Sequence, residues 1–289
     1  MTAVLTDLVP LAVDTLATSW STGFAVDERT VRSRTLLNLL QHDIDTATDP
    51  DVIRHEAERS ARWAADRCQE ERWRLAGPAL PHLDASSARF HAVEEEEASR
   101  MIRAFHFLGY SRAAQTCYGV SIRAAGRWQL IAVVLLSAFD LDYLRPSLGE
   151  AATDAMVLTR LYSLPWAPRN TLTFLLGSLR RHLRKTAFGK TLLTFCNPNA
   201  GHRGTVYHAA GWTLFARQPQ LRLYYHNGEY ISMRQARDVV AAGRTLSTSR
   251  QSLRDLLIFV RWVDESRHIA MPAFPHLVQS PVFPDLEDR

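Results

Sequence analysis

Lysine is almost missing from this chain of 289 residues. Lys185 and Lys190 are its only two, so 32 of the 34 basic residues are arginine. The bias of a GC-rich genome is one source of that pattern. A functional source is that a guanidinium fork grips phosphate through two parallel bonds, where an ammonium acts as a point charge. Cysteine is nearly as scarce. Cys68, Cys117 and Cys196 are odd in number and far apart, which excludes a disulfide framework and a C-x-x-C metal site and points to a reducing, cytoplasmic setting. Long apolar runs are lacking too. The most continuous, "LIAVVLLSAF" from Leu130 to Phe139, is too short to cross a bilayer and suits a buried strand, so no membrane partner is expected. The chain does not open on a basic start, an apolar core and a small-residue cleavage site, so no export is expected. What remains is 46% hydrophobic and 22% charged, the balance of a globular protein with a proper core. The formal net charge of +4 is compatible with a nucleic-acid partner.

Residues 1–85 read as a helical segment. "TVRSRTLLNLLQHDI" carries apolar residues at helical spacing. In "DVIRHEAERSARWAADRCQEERWRL" the stripe Ile53, Ala57, Ala61, Ala64 and Cys68 lies on one face. Trp63 and Trp73 are expected in the core. "GPALP" at 77–81 is the clearest break and separates this segment from a second unit, residues 86–289. There the run Glu94 to Glu97 suits the solvated first turn of a helix. "TCYGVSI" and "WQLIAVVLLS" read as a β-hairpin and "AMVLTRLYSL" as a strand. A loop "PWAPRN" follows, then the helix "TLTFLLGSLRRHLRK" and the strand "TLLTFCNP". A short helix, a hairpin from "TLFARQ" to "LRLYYHNGEYIS" turned at Asn227-Gly228, and a basic, mostly helical tail complete the chain. The expected class is therefore α+β, with a mixed central sheet flanked by helices. Hairpin, strand, helix, strand, helix, strand is the order of the acetyltransferase-like fold called GNAT, an order other α+β domains share.

Two motifs carry chemistry. Arg169, Asn170 and Thr171 stand just ahead of a helix with the apolar stripe Leu172, Leu175, Leu176, Leu179 and Leu183. Its N-terminus offers unpaired N–H groups and partial positive charge, a means of holding a phosphate or pyrophosphate. Capping alone is the competing reading for Asn170. Acetyltransferases hold coenzyme A at this junction with a glycine-rich loop, which is missing here. The second motif is "NPNAGHRGTVYHAAGW", residues 197–212. In the acetyltransferase fold the strand after the phosphate-binding helix often ends in Asn, and a short helix then carries a Tyr ahead of Gly-Trp or Gly-Phe. That Tyr protonates the leaving group, a task a phenol suits because it stays protonated at neutral pH. Asn197, Tyr207 and Gly211-Trp212 resemble that arrangement. His202, His208 and His226 match no zinc spacing, so no metal is expected. Cys196 reads as packing.

Arg160 within "LTRL", "APRNT" at 167–171, "GHRGTVYHAAGW" at 201–212 and "NGEYISMRQA" at 227–236 resemble the Mom family of phage DNA-modification proteins. "FHFLGYSR" at 105–112 and "SRHIAMP" at 266–272 resemble its outer landmarks. The resemblance covers about residues 100–272. It implies a GNAT-like fold and attachment of a small acyl-derived group to the amino group of adenine in duplex DNA. The family's functional positions fall on Arg160, position 197 and Tyr207. At 197 this chain has Asn in place of Asp, and an amide cannot take a proton as a carboxylate does.

The first expectation is an acyl-type group transferase working on or with nucleic acid. Tyr207, Arg160 and Asn197 would be its catalytic residues, Arg169, Asn170 and Thr171 its donor site, and Arg103, Arg112 and Arg203 its nucleic-acid contacts. The donor stays open between an acyl-CoA-like molecule and an aminoacyl-tRNA that would form an amide on a small amine or peptide. A catalytically silent nucleic-acid-binding module and a plain coenzyme A-dependent acetyltransferase are the other candidates.

Overall fold

The apolar periodicities predict where chain is buried, and the computed structural model of the chain describes residues 9–77, 82–84, 86–111, 113–124, 126–140, 144–186, 190–220 and 222–263. The helical segment contains α1 (Pro10–Phe24), α2 (Glu28–Leu39), the single turn α3 (Ile44–Ala47) and α4 (Pro50–Cys68). Asp27, Asp43 and Asp49 each begin a helix by accepting a backbone N–H with their side chains, the bond that makes Asp a good N-cap. All five residues of the stripe from Ile53 to Cys68 are buried. Trp73 is not a core residue: on a 3-10 turn it is 61% exposed, with the Arg74 guanidinium over its ring. Trp63 is partly buried beneath Arg34.

The second unit is built on a mixed seven-stranded sheet in the order β1-β2-β3-β4-β5-β10-β6. The elements are β1 (Ala88–Ala92), α5 (Glu95–Phe105), β2 (Thr116–Ala124), β3 (Arg127–Ala138), α6 (Arg145–Leu148), β4 (Ala155–Ser163), α7 (Thr171–Lys185), β5 (Thr191–Cys196), α8 (Thr205–Ala209) and β6 (Thr213–Gln218). After them come β7 (Tyr224–His226), β8 (Glu229–Ile231), α9 (Met233–Ala241), β9 (Ser247–Thr248) and β10 (Leu256–Trp262). Strands β4 and β5 run parallel with α7 crossing between them, and the other pairs in this sheet are antiparallel. The α+β class and the GNAT-like order of elements are those expected.

Three features differ from expectation. The chain beyond Arg250 is not a helical tail up to Trp262, because Leu256–Trp262 is a strand inserted between β5 and β6. Its alternate residues Ile258 and Val260 are fully buried, as a strand covered by packing requires. The rest of the tail, from residue 264, lies outside the described residues. Strand β6 does not pair with the segment around Asn227-Gly228. That turn, with both residues at positive φ, joins β7 to β8 in a separate sheet ordered β8-β7-β9. Strand β1 precedes α5, where no strand is expected.

The two units share packing. One apolar cluster joins Leu36, Leu37 and Leu39 of α2 to Ala200, Leu223, Tyr225 and Tyr230. The fully buried Arg34 of α2 donates to Tyr230 O at 2.8 Å and to Glu229 at 2.6 Å. Helix α2 is thereby fixed across the end of the sheet where the cavity described next opens.

Candidate active site

Strands β4 and β5 pair only from Ala155↔Thr191 to Leu158↔Thr194, and beyond that they part. The cause lies in β4. Leu136 pairs with Leu158 and Leu135 with Arg160, which leaves Thr159 as an extra residue, a β-bulge that bends the strand. Thr159 Oγ1 donates to Leu135 O at 3.2 Å. The parted strands, helix α2, the His106–Leu108 turn and the loop into α8 enclose a cavity of about 720 Å³.

Tyr207 lines this cavity from α8. Gly204 begins that helix at φ +74°, with the Phe259 ring against the place a Cβ would occupy. Both facts exclude larger residues there. The Tyr207 ring packs between Trp212 and Phe259, with centroids 5.5 and 5.3 Å away. Burial pushes its phenol up to about 12, so at neutral pH it is protonated. Its oxygen is 3.3 Å from Thr194 Oγ1, which also reaches Leu158 O at 3.1 Å.

Arg160 and Asn197 line the same cavity. Arg160 Nε donates to Tyr110 O at 3.0 Å and its Nη1 to Thr159 O at 2.6 Å, so the bulge and the chain after α5 fix the guanidinium. Asn197 Oδ1 accepts from Asn199 N at 3.0 Å and Asn199 Nδ2 at 3.1 Å. Asn197 thus caps the 3-10 turn Pro198–Ala200, and its oxygen is committed to shaping the loop. Arg203 is exposed and lines the cavity.

The other expected residues lie elsewhere. Arg169, Asn170 and Thr171 are not among the cavity's lining residues, of which α7 contributes only Leu172. Asn170 Oδ1 accepts from Leu83 N at 2.8 Å, and its Nδ2 donates to Leu83 O at 3.4 Å. Thr171 is buried and its N–H donates to Pro168 O at 2.9 Å. Gly77 lies against the Trp166 ring, whose Nε1 donates to Arg74 O at 2.8 Å. The side chain of Asn170, just ahead of α7, is thus bonded to the backbone of Leu83. Arg103 is exposed on α5 and paired with Glu96 at 2.6 Å, away from the cavity. Arg112 lies outside the described residues.

Sequence reasoning missed the contribution of the helical segment. Asp27, Arg29, Thr30 and Ser33 all line the cavity. Asp27 accepts from Tyr162 Oη at 2.8 Å and from Arg29 Nε at 3.2 Å. Arg29 reaches Ser163 O at 2.5 Å, which pins the start of α2 to the end of β4. Nothing in "VDERT" beyond a capping Asp signals this. His106 and His202 also line the cavity. Burial, then the nearby Arg160, hold the His106 imidazolium well below its ordinary range. Burial, then Arg32, lower His202 to about 4. Both rings are neutral at pH 7. Leu108 N donates to His106 Nδ1 at 3.2 Å, so neutral His106 carries its proton on Nε2. Among the described residues no group of three His, Cys, Asp or Glu is placed to hold a metal, and no helix is long and apolar enough to cross a membrane.

Residues 87–267 match the Mom protein family. The chain belongs to the Mom protein family. That stretch includes Arg160, Asn197 and Tyr207 but none of α1 to α4, so the wall supplied by α2 lies outside the family match. No curated protein matches the sequence. Among solved structures, an N-acetyltransferase from Staphylococcus aureus Mu50 is similar at 10% identity and a TM-score of 0.37, over 61% of this chain and 97% of its own. Arabidopsis thaliana NAA60 in complex with acetyl-CoA is similar at 10% identity and a TM-score of 0.39, over 61% of this chain and 99% of its own. A spermidine N-acetyltransferase from Vibrio cholerae in complex with CoA and spermine is similar at 10% identity and a TM-score of 0.35, over 61% and 95%.

Proposed function

We propose that this protein is an acyl-type group transferase acting on nucleic acid, with the adenine amino group of DNA as the acceptor that Mom membership suggests. The observation that carries the reading is that a buried, protonated Tyr207 and Arg160 line one cavity at the parted β4 and β5 strands. The acceptor nitrogen attacks the donor's acyl carbon, the guanidinium of Arg160 stabilises the oxyanion that forms, and Tyr207 gives its proton to the leaving group as that bond breaks. The resulting phenolate, whose conjugate acid sits at about 12, is basic enough to take the proton shed by the acceptor nitrogen. This cycle returns Tyr207 to its starting state and needs no carboxylate at 197.

A second reading takes an aminoacyl ester on tRNA as the donor, since no glycine-rich loop of the kind that holds coenzyme A precedes α7. Copurification tests the reading. The protein is isolated from the expressing cells at low salt, and the nucleic acid that travels with it is identified by nuclease sensitivity and sequencing. Duplex DNA is the expected result. Enrichment of one tRNA over bulk supports the aminoacyl-ester donor. Protein free of nucleic acid contradicts both.

A further inference from the structure

We propose that the cavity takes its acceptor as an extrahelical adenine, rotated out of the duplex into a box of neutral aromatic rings, while the flanking backbone stays at the rim near Arg203. This inference rests on the nucleic-acid reading above and deepens it.

Depth is the first argument. Tyr207 is only 9% exposed and sits in a concave cavity rather than on a projecting element. In B-DNA the adenine amino group is paired and faces a major groove about 8.5 Å deep. A concave wall cannot enter that groove, so a duplex lying across the mouth leaves the amino group far from the phenol. Enzymes facing this problem bring the base to the site.

The chemistry of the walls is the second argument. Phe107 lies between two imidazoles, with ring centroids 4.5 Å from His106 and 5.0 Å from His202. Tyr162 and Tyr230 add buried rings. The Asp27 carboxylate is compensated by Arg29, and Arg160 is turned to two backbone carbonyls. Such an interior suits a flat, uncharged, hydrogen-bonding heterocycle better than a phosphate. The Nε2–H of His106 is a donor matched to an adenine ring nitrogen. Arg29 and Arg203 are the exposed arginines of the lining.

Closure is the third argument. Thr30 and Ser33 of α2 form the wall facing β4 and β5, and Ser33 Oγ is 3.5 Å from His202 Nε2. Helix α2, outside the family match, therefore supplies one wall of the cavity. Its 720 Å³ falls within the range of about 300–1,000 Å³ typical of small-molecule pockets.

The test compares two duplex oligonucleotides, one fully paired and one with a central adenine opposite an abasic site, by fluorescence anisotropy at fixed salt. Unpairing is already paid in the second, so it is expected to bind at least ~10-fold tighter. A 2-aminopurine replacing that adenine is expected to be quenched on binding as aromatic rings close on it, and brightening would contradict the stacking. Phe107→Ala is expected to remove the preference and Phe107→Trp to keep it, which separates loss of stacking from loss of fold. Equal binding of both duplexes by the wild-type protein overturns the inference and leaves the nucleic-acid reading standing. Binding to neither overturns that reading as well.

Discussion

Replacing Arg34 by Met should destabilise the protein through the joint between its two units. Arg34 is buried to 2% exposure, donates to Glu229 at 2.6 Å and to Tyr230 O at 2.8 Å, and lies over the Trp63 ring at 4.0 Å. Methionine keeps most of the stem volume but none of these polar contacts. A charge-assisted bond contributes about 1.5–3 kcal/mol, and a buried carbonyl left without its donor costs about 1–3 kcal/mol. Against this, the variant no longer strips water from a guanidinium, which offsets part of the loss. Glu229 also keeps Arg59 at 3.1 Å, so its carboxylate is not orphaned. The expected net loss is about 2–4 kcal/mol, at the lower side of the range for breaking a buried ion pair. Urea unfolding measures it as a lower midpoint at unchanged slope. Arg34→Lys should recover little, because an ammonium cannot serve both oxygens and stack on the indole. A variant within ~0.5 kcal/mol of the wild type, the scatter of ordinary surface changes, would refute the argument that this arginine fixes α2 over the cavity.

Tyr207→Phe keeps the packing against Trp212 and Phe259 while removing the proton donor. It should lower the transfer rate by ~10²–10⁴-fold and leave the melting temperature nearly unchanged, as single-turnover assays and thermal scans would report. Gly204→Ala should cost about 2–4 kcal/mol, since a positive φ and the Phe259 ring both oppose a Cβ. Calorimetry checks this. Acidification should weaken the fold through His202. Its folded value of about 4 lies below the ordinary 6.5, so the unfolded chain binds more protons across that window. Stability then falls as the pH drops from about 6.5 to 4, by at most about 1.4 kcal/mol per unit for each such histidine. His202→Gln should flatten the slope, and an unchanged slope would remove His202 from the account.

The amphipathic pieces of this fold are legible in the sequence. The stripe from Ile53 to Cys68 and that from Leu172 to Leu183 are one-faced patterns that only a helix satisfies, and "WQLIAVVLLS" is too short and too branched for anything but a strand. Strand β10 was not legible. Its apolar run "LLIFVRW" follows a polar, arginine-rich stretch that reads as helix, and its place between β5 and β6 depends on pairing partners sixty residues earlier in the case of β5. Trp73 was misplaced because size argues for burial, yet a cation over one face lets an indole remain in solvent. In the site, Tyr207, Arg160 and Asn197 converge because each sits on an element whose local pattern is clear. The walls contributed by Asp27, Arg29 and Ser33 could not be read, since a capping Asp and a helical Ser look alike wherever the helix docks. Arg169 to Thr171 were legible as a helix start, but not as one whose Asn170 side chain is bonded to Leu83.

The most direct test of the account is the composition of DNA from cells that express the protein. Genomic DNA is digested to nucleosides and analysed by mass spectrometry, with Tyr207→Phe as the control. The account predicts a deoxyadenosine species of increased mass in wild-type cells that is lost or strongly reduced with the variant. Unmodified deoxyadenosine in cells holding folded wild-type protein, or equal modification by the variant, would contradict it.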